Sequence, residues 1–109
     1  MTGVQTCALP ICEEQGFTGN AAAEAGAKLF AQSGCMNCHT YLGQGSSNLG
    51  APDLSDVGLR RDQAELKAYV SNPAQFGNDV MISYSYLGEE NLTNLSTFLA
   101  ESRGPGARR

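Results

Sequence analysis

Cys35-Met36-Asn37-Cys38-His39 is the stretch on which the reading of this chain turns. Two thiols stand three residues apart, and an imidazole follows at once. This C-x-x-C-H run is the attachment signature of c-type haem. Thiols at that spacing on a helical turn reach the two vinyl groups on one porphyrin edge. The next imidazole then projects beneath the ring and ligates iron. Two other readings use the same residues. A thioredoxin-like redox pair follows a strand and opens a helix in a βαβ unit, whereas here a helical pattern precedes the pair. A structural zinc site needs four ligands, and Cys7 and Cys12 would have to join Cys35 and Cys38 at a loose spacing.

Working outward, the Ala-rich stretch from Asn20 to Ser33 predicts a helix stopped by Gly34. Leu42 to Gly50 is polar and Gly/Ser/Asn-rich; it lacks the Gly-Lys-Ser/Thr ending of a phosphate loop and reads as a surface loop. Pro52 to Gly58 continues as loop. Asp62 with Glu65 three residues on predicts a capped helix start. Leu66, Tyr69 and Val70 give that helix one apolar face, and Asn72-Pro73 ends it. Ala74 to Leu87 reads as irregular. Gly88 opens a last helix with Leu92, Leu95, Phe98 and Leu99 on one face. No strand is expected.

The first dozen residues, Met1 to Cys12, have no helical or strand period and lack the basic start and apolar stretch of a secretion signal. They read as foreign to the rest, so a membrane anchor lost from the N-terminus is an expectation. The expected division is a non-native segment over 1–16, one domain over 17–102 and a disordered Gly/Pro/Arg tail over 103–109.

With 109 residues the chain has room for about one domain. Seven Lys and Arg against eleven Asp and Glu, a net charge of −4, argue against a nucleic-acid surface. No apolar run reaches the roughly 20 residues that cross a bilayer. Thirteen glycines and no tryptophan predict a loop-rich fold with little bulk of its own, one that a cofactor would help to stabilise.

From about Gly26 to Leu99 the sequence resembles the class I cytochrome c family. Gly26 and Phe30 on the first helix, the haem motif, Ala51-Pro52-Asp53-Leu54, Val57-Gly58-Leu59-Arg60, Asn72-Pro73 and the last helix follow the family order. The wording from Tyr41 to Leu54 is also similar to haem domains attached to bacterial quinol–cytochrome c reductases. The resemblance implies an all-α cytochrome c fold, three to four short helices around one haem c held by Cys35 and Cys38. It implies further that the Pro52 carbonyl accepts the ring N–H of His39.

His39 is the single histidine, so bis-histidine ligation within one chain is excluded. Of three methionines, Met1 lies in the foreign-looking segment and Met36 sits between the thioether cysteines. Met81 remains as the second axial ligand, where the family places its own, although Ile82 stands where the family has Pro. Arg60 or Arg61 is a candidate partner for a haem propionate, as guanidinium forks carboxylates well; Arg60 is carried forward. Tyr84, Tyr86 and Phe76 are candidates to pack on the ring or donate to a propionate.

The expected function is electron transfer without catalysis, by a His/Met-ligated haem in a bacterial respiratory chain. The expected setting is the periplasm or the outer face of the membrane. Expected partners are a donor such as a quinol–cytochrome c reductase and an acceptor such as a terminal oxidase. A five-coordinate haem sensor or enzyme domain and a zinc-stabilised interaction module are the alternatives.

Overall fold

The first and last helices meet at a glycine. In the computed structural model, which describes residues 15–17, 20–48 and 50–104, α1 spans Ala21–Gln32, α2 Gln63–Ser71 and α3 Glu89–Glu101. A Cβ on Gly26 of α1 would lie 2.0 Å from the Asn94 carbonyl oxygen and 2.6 Å from Phe98 Cβ on α3. Only a residue without a side chain lets the two backbones approach so closely. The two helices therefore cross here, with Phe98 as the aromatic against Gly26.

Two of these helices, α1 and α2, start where side chains supply a missing hydrogen-bond partner. Asn20 caps α1, its Oδ1 accepting the Ala23 N–H at 3.1 Å. Asp62 and Glu65 close a reciprocal box on α2, at 2.8 Å from the Glu65 N–H to Asp62 Oδ1 and 3.1 Å from the Asp62 N–H to Glu65 Oε1. Lys67 of α2 also pairs with Glu89 at the start of α3. Leu66 and Val70 of α2 and Leu92, Leu95, Phe98 and Leu99 of α3 are buried, the face that the spacing predicted.

Phe17, Phe30, Tyr41 and Phe98 form the densest part of the core. The Phe98 ring lies 5.1 to 5.5 Å from the centroids of the other three. Such aromatic pairs contribute roughly 0.5–1.5 kcal/mol each beyond the area they bury. The Tyr41 hydroxyl sits 2.5 Å from Ser102 Oγ and accepts from Gln15 Nε2 at 2.9 Å. Burial therefore proceeds without an unpaired phenol.

Two features differ from the expected organisation. Thr40–Tyr41 (β1) and Gln44–Gly45 (β2) pair as a two-residue antiparallel hairpin where a plain loop was expected. Its turn places Leu42 at φ 48° and Gly43 at φ 80°, the twist that suits a tight hairpin. Residues just beyond the expected domain edges at 16/17 and 102/103 also pack against the domain. Gln15 is buried and donates to the Ser55 carbonyl at 2.6 Å, and the Gly104 N–H donates to Gln15 Oε1 at 3.1 Å. The remaining parts of the two terminal segments, 1–14 and 105–109, lie outside the described residues. No described helix is long and apolar enough to cross a membrane.

Candidate haem-binding site

A 3₁₀ turn, Cys35–Asn37, follows α1 almost directly. It delivers Cys35, Cys38 and His39 to the wall of a cavity of about 890 Å³, closed elsewhere by Leu66 and Val70 of α2, Leu95 and Leu99 of α3, and Met81. That volume lies within the usual range for sites that take a large organic ligand. Apolar side chains from two helices and the Met81 loop thus face a thiol pair and an imidazole across one space.

The imidazole is oriented from behind. His39 Nδ1 lies 2.8 Å from the Pro52 carbonyl oxygen. A carbonyl only accepts, so Nδ1 carries the proton and Nε2 keeps its lone pair. That is the tautomer a metal-ligating histidine needs. On the other side of the motif, the Ser46 N–H donates to the Met36 carbonyl and the Asn48 N–H to the Cys38 carbonyl, both at 3.0 Å. Asn48 Nδ2 adds a bond to the Asn37 carbonyl at 2.6 Å. The attachment segment is clasped along its length.

Met81 reaches the cavity from a loop without regular structure, and one side chain fastens that loop. Asn78 Oδ1 accepts the N–H of Val80 at 2.9 Å and of Met81 at 3.0 Å, while its Nδ2 donates to Tyr69 Oη on α2 at 2.9 Å. An Asn hydrogen-bonded to N–H groups two and three residues on is a turn device in its own right. Asn78 was missed in the sequence, where only its Asn-Asp setting hinted at a turn.

The two candidate arginines are placed differently. Arg60 pairs with Asp56 at 2.7 Å and donates to the Asp53 carbonyl at 3.4 Å, and it does not line the cavity. Its neighbour Arg61 does line it, with a loose pairing to Glu65 at 3.6 Å. Two successive residues leaving a 3₁₀ turn point to different sides, so only one can face the cavity.

Tyr84 is buried on the cavity wall, donating to the Ser33 carbonyl at 3.2 Å with its hydroxyl 4.0 Å from Cys35 Sγ. Tyr86, by contrast, is 69% exposed and does not line the cavity. Burial pushes the Cys35 thiol up, against a smaller downward pull from the Tyr84 hydroxyl. Burial likewise raises Tyr84, with Cys35 adding to it.

Both thiols are free and partly buried, and among the described residues no three His, Cys, Asp or Glu side chains converge as a metal-holding group. The zinc reading therefore has no support from the described residues, and Cys7 and Cys12 lie outside them. Among the described residues the one sheet is a two-stranded hairpin, which offers no βαβ unit for a redox dithiol. The donor set fits a porphyrin instead: two thiols for an edge, an imidazole with a free Nε2, and apolar walls for the ring.

Fold and site together define an all-α domain organised to hold a covalently attached haem. The family model for cytochrome c matches residues 23–103. The chain belongs to the cytochrome c family, carries c-type haem and serves haem-based electron transfer between redox partners. No curated protein and no solved structure matches the chain.

Proposed function

We propose that His39 and Met81 are the two axial ligands of the haem iron, and that the domain carries electrons without acting on a substrate. The observation behind this reading is that one cavity takes both the single histidine, with its Nε2 lone pair free, and Met81. Bound haem supplies one-electron ferric/ferrous chemistry. The chain's own residues do the rest. The Pro52 carbonyl orients the imidazole and raises its basicity. The Met81 thioether is a soft donor that favours the reduced state, and the apolar walls from α2 and α3 disfavour extra positive charge.

The setting we propose is a bacterial respiratory chain, outside the cytoplasm, with a quinol–cytochrome c reductase as donor and a terminal oxidase as acceptor. The likeness of Tyr41 to Leu54 to reductase-attached haem domains supports it. The net charge of −4 favours a basic docking patch on the partner. Expression with a secretion signal and the haem-attachment machinery should give haem that resists acid–acetone extraction, and none without export.

Met81→Ala tests the ligation. In the haem-loaded protein it should abolish the weak red-end absorption of ferric iron–thioether ligation, lower the potential and admit carbon monoxide to the reduced state. An unchanged band and potential would remove Met81 from the site. Tight carbon monoxide binding by the unaltered protein would favour the five-coordinate sensor instead.

A further inference from the structure

Behind the His39–Pro52 bond lies a brace that the electron-transfer reading does not use. Residues 39–40 and 52–54 face each other across three hydrogen bonds. His39 Nδ1–H donates to the Pro52 carbonyl at 2.8 Å, Thr40 Oγ1–H to Asp53 Oδ1 at 2.7 Å, and the Leu54 N–H to the Thr40 carbonyl at 2.9 Å. The middle bond is the one made by two side chains. We propose that Asp53 is a positioning residue for the His39 imidazole, its carboxylate holding the Pro52 carbonyl on Nδ1–H by anchoring to Thr40 and Ser55.

The argument begins with the peptide plane. The Pro52 carbonyl oxygen belongs to the rigid unit that also contains the Asp53 nitrogen. Its direction is therefore set by whatever fixes Asp53. Pro52 itself has no N–H with which to be held, and the loop around it has no ladder of its own. Asp53 supplies the anchorage. Besides the Thr40 hydroxyl, its carboxylate accepts the Ser55 N–H at 3.1 Å and the Ser55 hydroxyl at 3.2 Å. Arg60 Nη2 reaches the Asp53 carbonyl at 3.4 Å on the other side of the same residue. An ionised carboxylate accepts and never donates, which suits a site offering it only donors.

The hairpin completes the mechanism. Thr40 follows His39 directly and begins β1, so a bond from Thr40 to Asp53 ties the backbone carrying the imidazole to the backbone carrying its acceptor. Ser55 Oγ in turn accepts the Leu42 N–H at 2.6 Å, locking the same loop to the hairpin turn. With the brace cut, the Pro52–Asp53 plane can rotate and the Nδ1–H loses a fixed acceptor. Weaker bonding there lowers the basicity of the imidazole, so the ferric state loses stabilisation and the potential rises. This rests on the proposed ligation of iron by His39.

Because the chain has one histidine, ¹⁵N-histidine labelling of the haem-loaded, reduced protein reports His39 alone. Hydrogen exchange at Nδ1 should be roughly tenfold faster in Asp53→Ala and in Thr40→Val than in the unaltered protein, the loss expected of one bond. Asp53→Asn keeps an acceptor for Thr40 and should recover most of the protection. Thr40→Val preserves the charge of Asp53 and the strand, so it carries the test if Asp53→Ala takes up no haem. The potential should rise in Thr40→Val, and amides of α3 should exchange unchanged. Nδ1 exchange as slow as in the unaltered protein, or a rise shared equally by α3 amides, would overturn the brace. A proton on Nε2 of the unaltered protein would instead overturn the ligation on which the brace rests.

Discussion

The molecule has two unlike regions. On one, α1 and α3 cross at Gly26 with Phe17, Phe30, Tyr41 and Phe98 packed ring against ring, all at 1% exposure or less. On the other, residues 76–82 carry Phe76, Val80 and Ile82 at 52, 60 and 60% exposure with no helix or strand beyond a short 3₁₀ turn ending at Phe76. The first side is complete in protein alone. The second contributes Phe76, Val80, Met81 and Ile82 to the cavity lining. One region is thus packed on itself, while the other lines the cavity.

The sharpest way to break this contrast is to remove the covalent haem. Cys35→Ala with Cys38→Ala should abolish covalent haem and most helical circular dichroism, since so small a core draws much of its stability from a body bound only when folded. A cooperative melt of that variant would mean that the aromatic side suffices by itself. Truncating that side should be the next most damaging change. Phe98→Ala in the haem-loaded protein should cost about 3–5 kcal/mol by denaturant unfolding, because it removes the ring shared by three aromatic neighbours.

Overpacking the crossing should cost about 1–3 kcal/mol for Gly26→Ala, toward the top of that range. The obstacle at 2.0 Å is a backbone oxygen on α3 that no rotamer change can move aside. A thermal melt equal to that of the unaltered protein would refute the close contact. The smallest effect concerns acid. Burial pulls the Asp53 carboxyl up, but the Thr40 and Ser55 bonds outweigh it and hold it below its ordinary value. Its contribution to stability is therefore present at neutral pH and fades as the pH falls through its folded value. Asp53→Asn should flatten the acid limb of the stability profile and leave the region above pH 6 nearly level.

The sequence carried the aromatic side better than the other. Helix faces and the Asp62–Glu65 cap repeat at fixed short spacings, so α2 and α3 could be drawn from residue order alone. The haem motif is equally local, and His39, Pro52 and Met81 all line one cavity. The hairpin escaped because Leu42 sits at positive φ, a conformation its side chain disfavours; the pairing of β1 with β2 overrides it. Arg60 was preferred to Arg61 because adjacent residues differ in direction, and direction depends on the turn of Val57–Leu59. Gln15 escaped for a different reason: its partners Tyr41, Ser55 and Gly104 lie far along the chain, and no local pattern announces such a contact.

Asn78 gives the Met81 loop a kinetic character. Two amides of that loop and the hydroxyl of Tyr69 all depend on one carboxamide. Rotation of that single group would release the three bonds together, so opening of the loop is expected to be a single step. Opening need not disturb the helix crossing, which shares none of these bonds. Departure of Met81 from the cavity should then follow one exponential whose rate is a property of the amide latch, while the thiols and the imidazole stay clasped in place.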